Sequence, residues 1–263
     1  MQKIRFAAVA GAFYPASAPL LQQELEHFLR AVVPTANPAP PKALIVPHAG
    51  YQYSGAIAAS AYARLLPVRE RIRRVVLMGP AHRVFVPGIA MSSAEAFASP
   101  LGEVPLESGL AHALSRFPQV QVLDRAHEQE HCLEVHLPFL RYLLKDFSLI
   151  PLLVGQSDFY SVAQVLEFLW GGEETLIVVS SDLSHYQDYA SAQQRDAATT
   201  WAIEHLRPDL IQGEDACGYC PLNALLYAAK RKGLQVETLD VRNSGDTAGN
   251  KDRVVGYGAY VLH

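Results

Sequence analysis

Cysteine is scarce in this chain, with three among 263 residues. So low and odd a count builds no disulfide framework and leaves at least one thiol free. That points to a reducing compartment and to thiols kept for chemistry or packing. An excess of one charge is missing as well. Lys and Arg number 22 against 26 Asp and Glu, a formal net charge of −4, and the two signs are interspersed. No basic stripe offers a phosphate track, so nucleic acid is not an expected partner. No apolar run approaches the ~20 residues that a membrane helix needs. The start, Met1-Gln2-Lys3-Ile4-Arg5 and the alanine-rich residues after it, has a short, weakly apolar stretch broken at Tyr14-Pro15. A signal peptide is therefore rejected, and a soluble, cytoplasmic protein is expected. Repeats and low-complexity tracts are lacking, and the Pro/Ala-rich Thr35–Lys42 falls too early to divide two domains. Half of the residues are hydrophobic and 18% are charged, enough for a sizeable core. One domain spanning residues 1–263 is expected.

What the chain does have is strand-like runs alternating with helical ones. Ala43–Val46, Arg74–Met78, Leu149–Val154 and Thr175–Ser181 are continuous apolar runs, as strands buried on both faces should be. Gly88–Ser92, Val120–Leu123, Gln235–Arg242 and Arg253–Leu262 read as further strands. Helices are expected over Ser54–Leu66, His131–Lys145, Ser161–Trp170, Ala190–Leu206 and Pro221–Lys232, the last stopped by Gly233. This alternation predicts an α/β fold with a central, mainly parallel or mixed sheet flanked by helices. In such sheets ligands bind beyond the carboxyl ends of the strands.

Three histidines sit just past the best strands: His48 in Pro47-His48-Ala49-Gly50-Tyr51, His82 in Gly79-Pro80-Ala81-His82, and His185 in Ser181-Asp182-Leu183-Ser184-His185. If the strands are neighbours, the three imidazoles open into one crevice. Neutral imidazole is the commonest metal ligand and also the side chain that titrates near pH 7. A lone loop histidine is usually a surface or hydrogen-bonded residue, but three at matching positions form a cluster. Cys217-Gly218-Tyr219-Cys220-Pro221 precedes a helix, where the dipole stabilises a thiolate. It can be a redox pair, part of a metal site, or two small residues packing a helix start. His127-Glu128-Gln129-Glu130-His131 matches the H-E-x-x-H of zinc proteases, which requires both histidines on one continuous helix. A strand ends a few residues earlier, so His127 is expected to precede the helix, and the protease reading is set aside. Ser181, Asp182 and His185 lack the G-x-S-x-G elbow of a hydrolase, and Gly245–Gly249 lacks the Walker lysine.

Taken in order, these motifs resemble the Memo family. Ala10-Gly11-Ala12-Phe13-Tyr14-Pro15, the His48 and His82 loops, Glu130-His131-Cys132-Leu133-Glu134-Val135-His136-Leu137-Pro138-Phe139, Ser181–His185, Cys217-Gly218 and Arg253–Tyr260 follow the family's sequence from about residue 5 to 262. The resemblance implies a fold similar to the class III extradiol ring-cleavage dioxygenases. It also implies a divalent metal held at the positions of His48, His82 and Cys217, with iron(II) first and copper or zinc compatible. Cys217 is selected over Cys220. His185 is expected as acid/base, oriented by Asp182, with Tyr51 lining the pocket and Glu130, His131 and Glu134 lining or bracing it. Dioxygenases of the related fold use two histidines and a carboxylate; a thiolate in third place is softer and oxidisable, so ring cleavage does not follow from the fold. An oxidoreductase acting on a small unidentified substrate is the leading reading. The rivals are a partner-binding protein linked to a radical-enzyme system and, behind it, a zinc hydrolase.

Overall fold

A computed structural model describes residues 3–34, 36 and 38–263. Met1 and Gln2 of the start, and Thr35 and Asn37 of the linker-like stretch, lie outside the described residues. In chain order the elements begin with β1 (Ile4–Arg5), α1 (Ala18–Ala31), β2 (Ala43–Val46) and α2 (Tyr51–Tyr62). Next come β3 (Arg74–Pro80), β4 (Ile89–Met91), β5 (Ala96–Ser99), β6 (Gly102–Pro105), α3 (Leu110–Leu114) and β7 (Val120–Val122). The short α4 (Asp124–Glu128) and α5 (Leu137–Leu143) precede β8 (Ser148–Val154), α6 (Phe159–Phe168), β9 (Thr175–Ser180) and β10 (His185–Gln187). The chain ends with α7 (Tyr189–Glu204), α8 (Tyr219–Lys232), β11 (Val236–Asn243) and β12 (Val254–Leu262).

β2, β9, β3 and β8 lie side by side and parallel at the centre of a nine-stranded sheet. Antiparallel β12, flanked by β10 and β11, closes one side, and antiparallel β4 with β7 closes the other. The four central strands read as unbroken apolar runs because both faces are covered. Leu44, Val46, Val75, Leu77, Leu176 and Val178 pack into one core layer, with α1, α2 and α5. Their alternates Ile45, Val76, Met78, Ile177 and Val179 pack into the other, with α6, α7 and α8. The architecture is thus a single α/β domain with a mixed sheet between helices, as expected. A second, three-stranded sheet of β1, β5 and β6 was not foreseen. Nor was α1, which enters at Pro19 and buries Leu21 and Leu25 one turn apart. Among the described residues no helix is long and apolar enough to cross a membrane.

The register places the strand ends together. Ile45 pairs with Val179, and Val179 with Met78, so the chain leaves all three central strands at one level. His48, Asp182 and His82 follow within a few residues. Between β7 and β8 one expectation holds and one fails. His127 lies before the helix expected from His131, within a short helix of its own, α4. The helix expected from His131 starts instead with a single 3₁₀ turn at Glu134–His136 and continues as α5. The cause is Glu130, whose carboxylate accepts from the amides of His131 and Cys132 and holds that stretch open as a loop. His127 and His131 therefore do not share a helix. His127 is buried, with Nε2 3.1 Å from the Ala90 carbonyl.

Candidate metal centre

The carboxyl ends of β2, β9 and β3 open into a solvent-connected cavity of about 1130 Å³. His48, His82, His131, Asp182, His185 and Cys217 all line it. His48, His82 and His131 form its tightest group, with ligand atoms all within 4.8 Å of one another. The His48 ring centroid lies 5.2 Å from that of His82 and 5.4 Å from that of His131. Cys217 joins from the His48 side, its Sγ 3.4 Å from His48 Nε2. The cavity end also receives the amino termini of α2 and α8, through Gly50 and Cys217.

The hydrogen bonds behind each imidazole decide what it presents to the cavity. Ser180 Oγ donates its one proton to the Cys132 carbonyl at 2.8 Å. It must then accept at both other contacts, from His48 Nδ1 at 2.7 Å and from His136 Nε2 at 2.9 Å. His48 therefore carries its proton on Nδ1 and turns an unprotonated Nε2 to the cavity. His136 in turn uses Nδ1 to accept from Tyr62 Oη at 3.0 Å. Burial, followed by the neighbouring His82 and His131, holds the His48 pKa well below the usual histidine value. Burial likewise pushes His136 down to about 3.

His82 is fixed by a carboxylate. Its Nδ1 lies 2.9 Å from Glu130 Oε1, and its backbone amide donates to Oε2 at 2.6 Å. Burial alone would raise the Glu130 pKa, but the close contacts with His131 and His82 override it and leave the group well below the usual carboxylate range. A carboxylate behind a histidine is the arrangement that orients imidazole ligands and increases their basicity. His185 is tied by Nδ1 to the Leu183 carbonyl at 2.8 Å, leaving its Nε2 free. His131 differs. Its Nδ1 lies 3.2 Å from Glu130 Oε1 without hydrogen-bond geometry, and its ring stacks on His82 at 4.9 Å.

Several expectations need correction. Asp182 does not orient His185, because Leu183 does. Asp182 Oδ1 accepts from the His48 amide at 2.7 Å, Oδ2 lies 3.9 Å from His48 Nε2, and its own amide points at Cys217 Sγ at 3.4 Å. Burial raises the Asp182 pKa, and the His48 amide opposes that rise. Of the two roles expected for Glu130, it takes the bracing one, holding His82 from beneath without lining the cavity. Glu134 is also buried and away from the cavity, pairing with Arg5 and accepting from the amides of Ala8 and Val9 and from Tyr14 Oη. It pins the amino-terminal segment. Tyr51 is buried too, its hydroxyl donating to the Val135 carbonyl at 2.7 Å. Sequence reasoning missed Ser180 and His136, and it placed His131 at the pocket wall without seeing that its nitrogen joins the cluster.

A second group, His82, Glu130 and Cys132, also lies within 4.8 Å. Its atoms are already committed: His82 and Glu130 bond each other, and Cys132 Sγ donates to the Pro80 carbonyl at 3.1 Å. Burial raises the Cys132 pKa well above that of a free thiol. The open cluster at His48 is the one with donors to spare. Cys220, the alternative thiol, turns away to the Ser157 carbonyl at 3.3 Å.

The comparisons with known proteins agree with the motifs. A family model described as Memo-like protein matches residues 5–261. Relatives described as MEMO1 family proteins include one from Aquifex aeolicus, 34% identical over 97% of each chain. One from Sulfolobus acidocaldarius is 31% identical over 97% of each, and one from Methanocaldococcus jannaschii is 32% identical over the full length of both. An uncharacterized Escherichia coli K12 protein of known crystal structure superposes with a TM-score of 0.53 at 15% identity, covering 82% of this chain and 98% of that one. That last likeness is one of fold alone. With the family model spanning nearly the whole chain and relatives above 30% identity along its length, the chain belongs to the Memo family.

Proposed function

We propose that this chain is a metal-dependent oxidoreductase of the non-haem-iron type that acts on a small substrate, with a divalent metal held by His48, His82 and Cys217. One observation carries the reading: His48 and His82 each have Nδ1 occupied by a fixed partner, so both turn a lone pair on Nε2 toward the space that Cys217 Sγ also enters. Two neutral imidazoles and one thiol are a donor set that iron(II), copper or zinc accepts. Burial, followed by the charge of Asp182, raises the Cys217 pKa in the metal-free chain. A bound divalent cation reverses that logic, because a coordinating thiol loses its proton outright. His131, within reach of the same point, supplies a fourth donor or a place for substrate.

When bound, iron(II) would supply one-electron and oxygen chemistry. The protein's own part is positional. His185 lines the cavity with Nδ1 tied to Leu183, so Nε2 is the atom at which it would give or take a proton. Asp182 holds the His48 loop and the Cys217 thiol in register. The partner-binding rival calls for an apolar groove, whereas this rim carries Arg83, Glu214, Asn250 and Arg253.

Metal analysis of anaerobically purified protein tests the assignment. Wild type and Cys220→Ala should hold about one metal per chain, and His48→Ala and Cys217→Ala much less. Equal content in wild type and His48→Ala would sink the site. Zinc rather than iron in the wild type would turn the reading to hydrolysis through a metal-bound water.

A further inference from the structure

From the two arginines at the cavity mouth we infer that the ligand of this cavity is a small organic anion, carrying a carboxylate or phosphate group gripped by Arg83 and Arg253. The inference rests on the cavity being a substrate site. Both side chains are exposed and line it. Among the described residues neither guanidinium forms an ion pair or a hydrogen bond. The other charged rim residue, Glu214, is already paired with Arg195 at 3.2 Å. The two cations also approach from different sides. Arg83 follows β3, and Arg253 immediately precedes β12. In the sheet β12 and β3 are separated by β2 and β9, a span of about 14 Å at strand spacing. The histidines of the β2 and β3 ends lie in that interval, so a ligand seated over them has a guanidinium on either hand.

Arg253 is held in place by a costly piece of backbone. β10 pairs with β12 through His185 with Val255 and Gln187 with Val254, and the register shifts between them. Tyr186 is the extra residue of that bulge. It adopts φ 59°, a left-handed conformation that a bulky side chain rarely takes, and the residue is 65% exposed. The Arg253 guanidinium sits 5.1 Å from the centre of that ring. The stack orders the cation without neutralising it, leaving its hydrogen-bond donors for a ligand. Strain of this kind persists where surrounding structure enforces it, and here it also sets the position of His185 next door. Beneath the rim, the positive ends of α2 and α8 face the same space, and neither has a side-chain cap. The Asp182 carboxylate also lines the floor beside His48, so it is the rim that favours negative charge.

Titration calorimetry on metal-free protein with benzoate and inorganic phosphate, and with benzamide as the neutral isostere of benzoate, tests this. Metal is left out so that neither anion can bind to it directly. Benzoate should bind at least about tenfold more tightly than benzamide, and added salt should weaken it. Arg253→Met and Arg83→Met should each weaken benzoate by about tenfold and leave benzamide unchanged, with Arg253→Lys restoring part of the loss. Phosphate binding as tightly as benzoate would identify a phosphate group as the recognised head; benzoate alone would identify a carboxylate. Benzamide matching benzoate, or a folded double variant that binds both anions as wild type does, would overturn the inference. His48→Ala separates it from the metal assignment. Retained anion binding in a His48→Ala protein whose metal content is unchanged leaves the clamp standing and the metal site refuted.

Discussion

Removing the Ser180 hydroxyl should damage stability and metal binding together, and the structure sets the size of each effect. Ser180→Ala deletes one oxygen that makes three buried contacts: it accepts from His48 Nδ1 and His136 Nε2 and donates to the Cys132 carbonyl. All three partners are buried and Ser180 itself lies behind the cavity wall, so water cannot readily replace the hydroxyl. A buried polar group left without a partner costs about 1–3 kcal/mol. The three share one atom and are not additive, which puts the total at roughly 3–5 kcal/mol. A domain near the middle of the usual range of about 5–15 kcal/mol stays folded after that loss at 25 °C. The second effect is on His48. Without an acceptor at Nδ1 the ring is free to move its proton to Nε2, the atom proposed to hold the metal. Loss of such a supporting bond typically lowers metal affinity about 10–100-fold, equivalent to about 1.4–2.7 kcal/mol. Urea unfolding of the metal-free protein gives the first number, and competition with a chelator gives the second. A variant within about 1 kcal/mol of wild type, with affinity within about threefold, would refute the hydrogen-bond assignment behind His48.

Three further predictions follow from the same structure. Burial lowers the pKa of His127 to about 4 and that of His136 to about 3. The unfolded chain protonates both near 6.5, so it binds more protons in the window between. Their contribution is therefore complete above about pH 6.5 and drains away as pH falls toward 4 and 3, at about 1.4 kcal/mol per unit for each histidine. His127→Phe should flatten the slope of unfolding free energy against pH by one such step, and an unchanged slope would show that His127 is not buried neutral. Glu134→Ala leaves Arg5 buried and unpaired and frees the Ala8 and Val9 amides; a loss of about 3–5 kcal/mol is expected in urea, and a change under about 1 kcal/mol would contradict the hub. Gly218→Ala places a Cβ 2.6 Å from the Ser180 carbonyl oxygen and 2.8 Å from Ser181 Cβ. Relief of that clash should move Cys217, costing about 1–3 kcal/mol and reducing the metal held per chain, whereas normal metal content would mean that Cys217 is no ligand.

What the sequence made legible were the parts whose local pattern and tertiary setting agree. β2, β3 and β9 stand out as unbroken apolar runs because each is covered on both faces, and their aligned ends carry His48, His82 and Asp182 into one cavity. The reading faltered where long-range hydrogen bonds decide the shape. His131 looks like the first turn of a helix, yet the Glu130 carboxylate captures its amide and that of Cys132. The two cysteines of Cys217-Gly218-Tyr219-Cys220 are equivalent by spacing alone. The chain packs so closely at Gly218 against Ser180 and Ser181 that Cys217 is delivered to His48, while Cys220 turns to Ser157. The acidic residues of the Glu130–Phe139 motif carry no mark of which will brace a histidine and which will anchor the amino-terminal segment.

A histidine in a strand-end loop is prepared for chemistry when something fixes its remote nitrogen, and here that is done in three different ways. His82 leans on the Glu130 carboxylate, His48 on the Ser180 hydroxyl and His185 on the Leu183 carbonyl. A carboxylate feeds the most charge into the ring, so His82 should be the strongest of the three donors. Ser180 gives less charge but stricter control, because its single proton is already committed to Cys132 and only one tautomer of His48 can satisfy it. The Leu183 carbonyl is a neutral acceptor and the weakest brace, which suits His185 to a group that exchanges a proton rather than one that holds an ion. Glu130 comes from one stretch of chain, Ser180 and Leu183 from another, and His48 and His82 from two further loops. The donor strengths of the site are therefore a property of the folded sheet end and cannot be carried by any one motif.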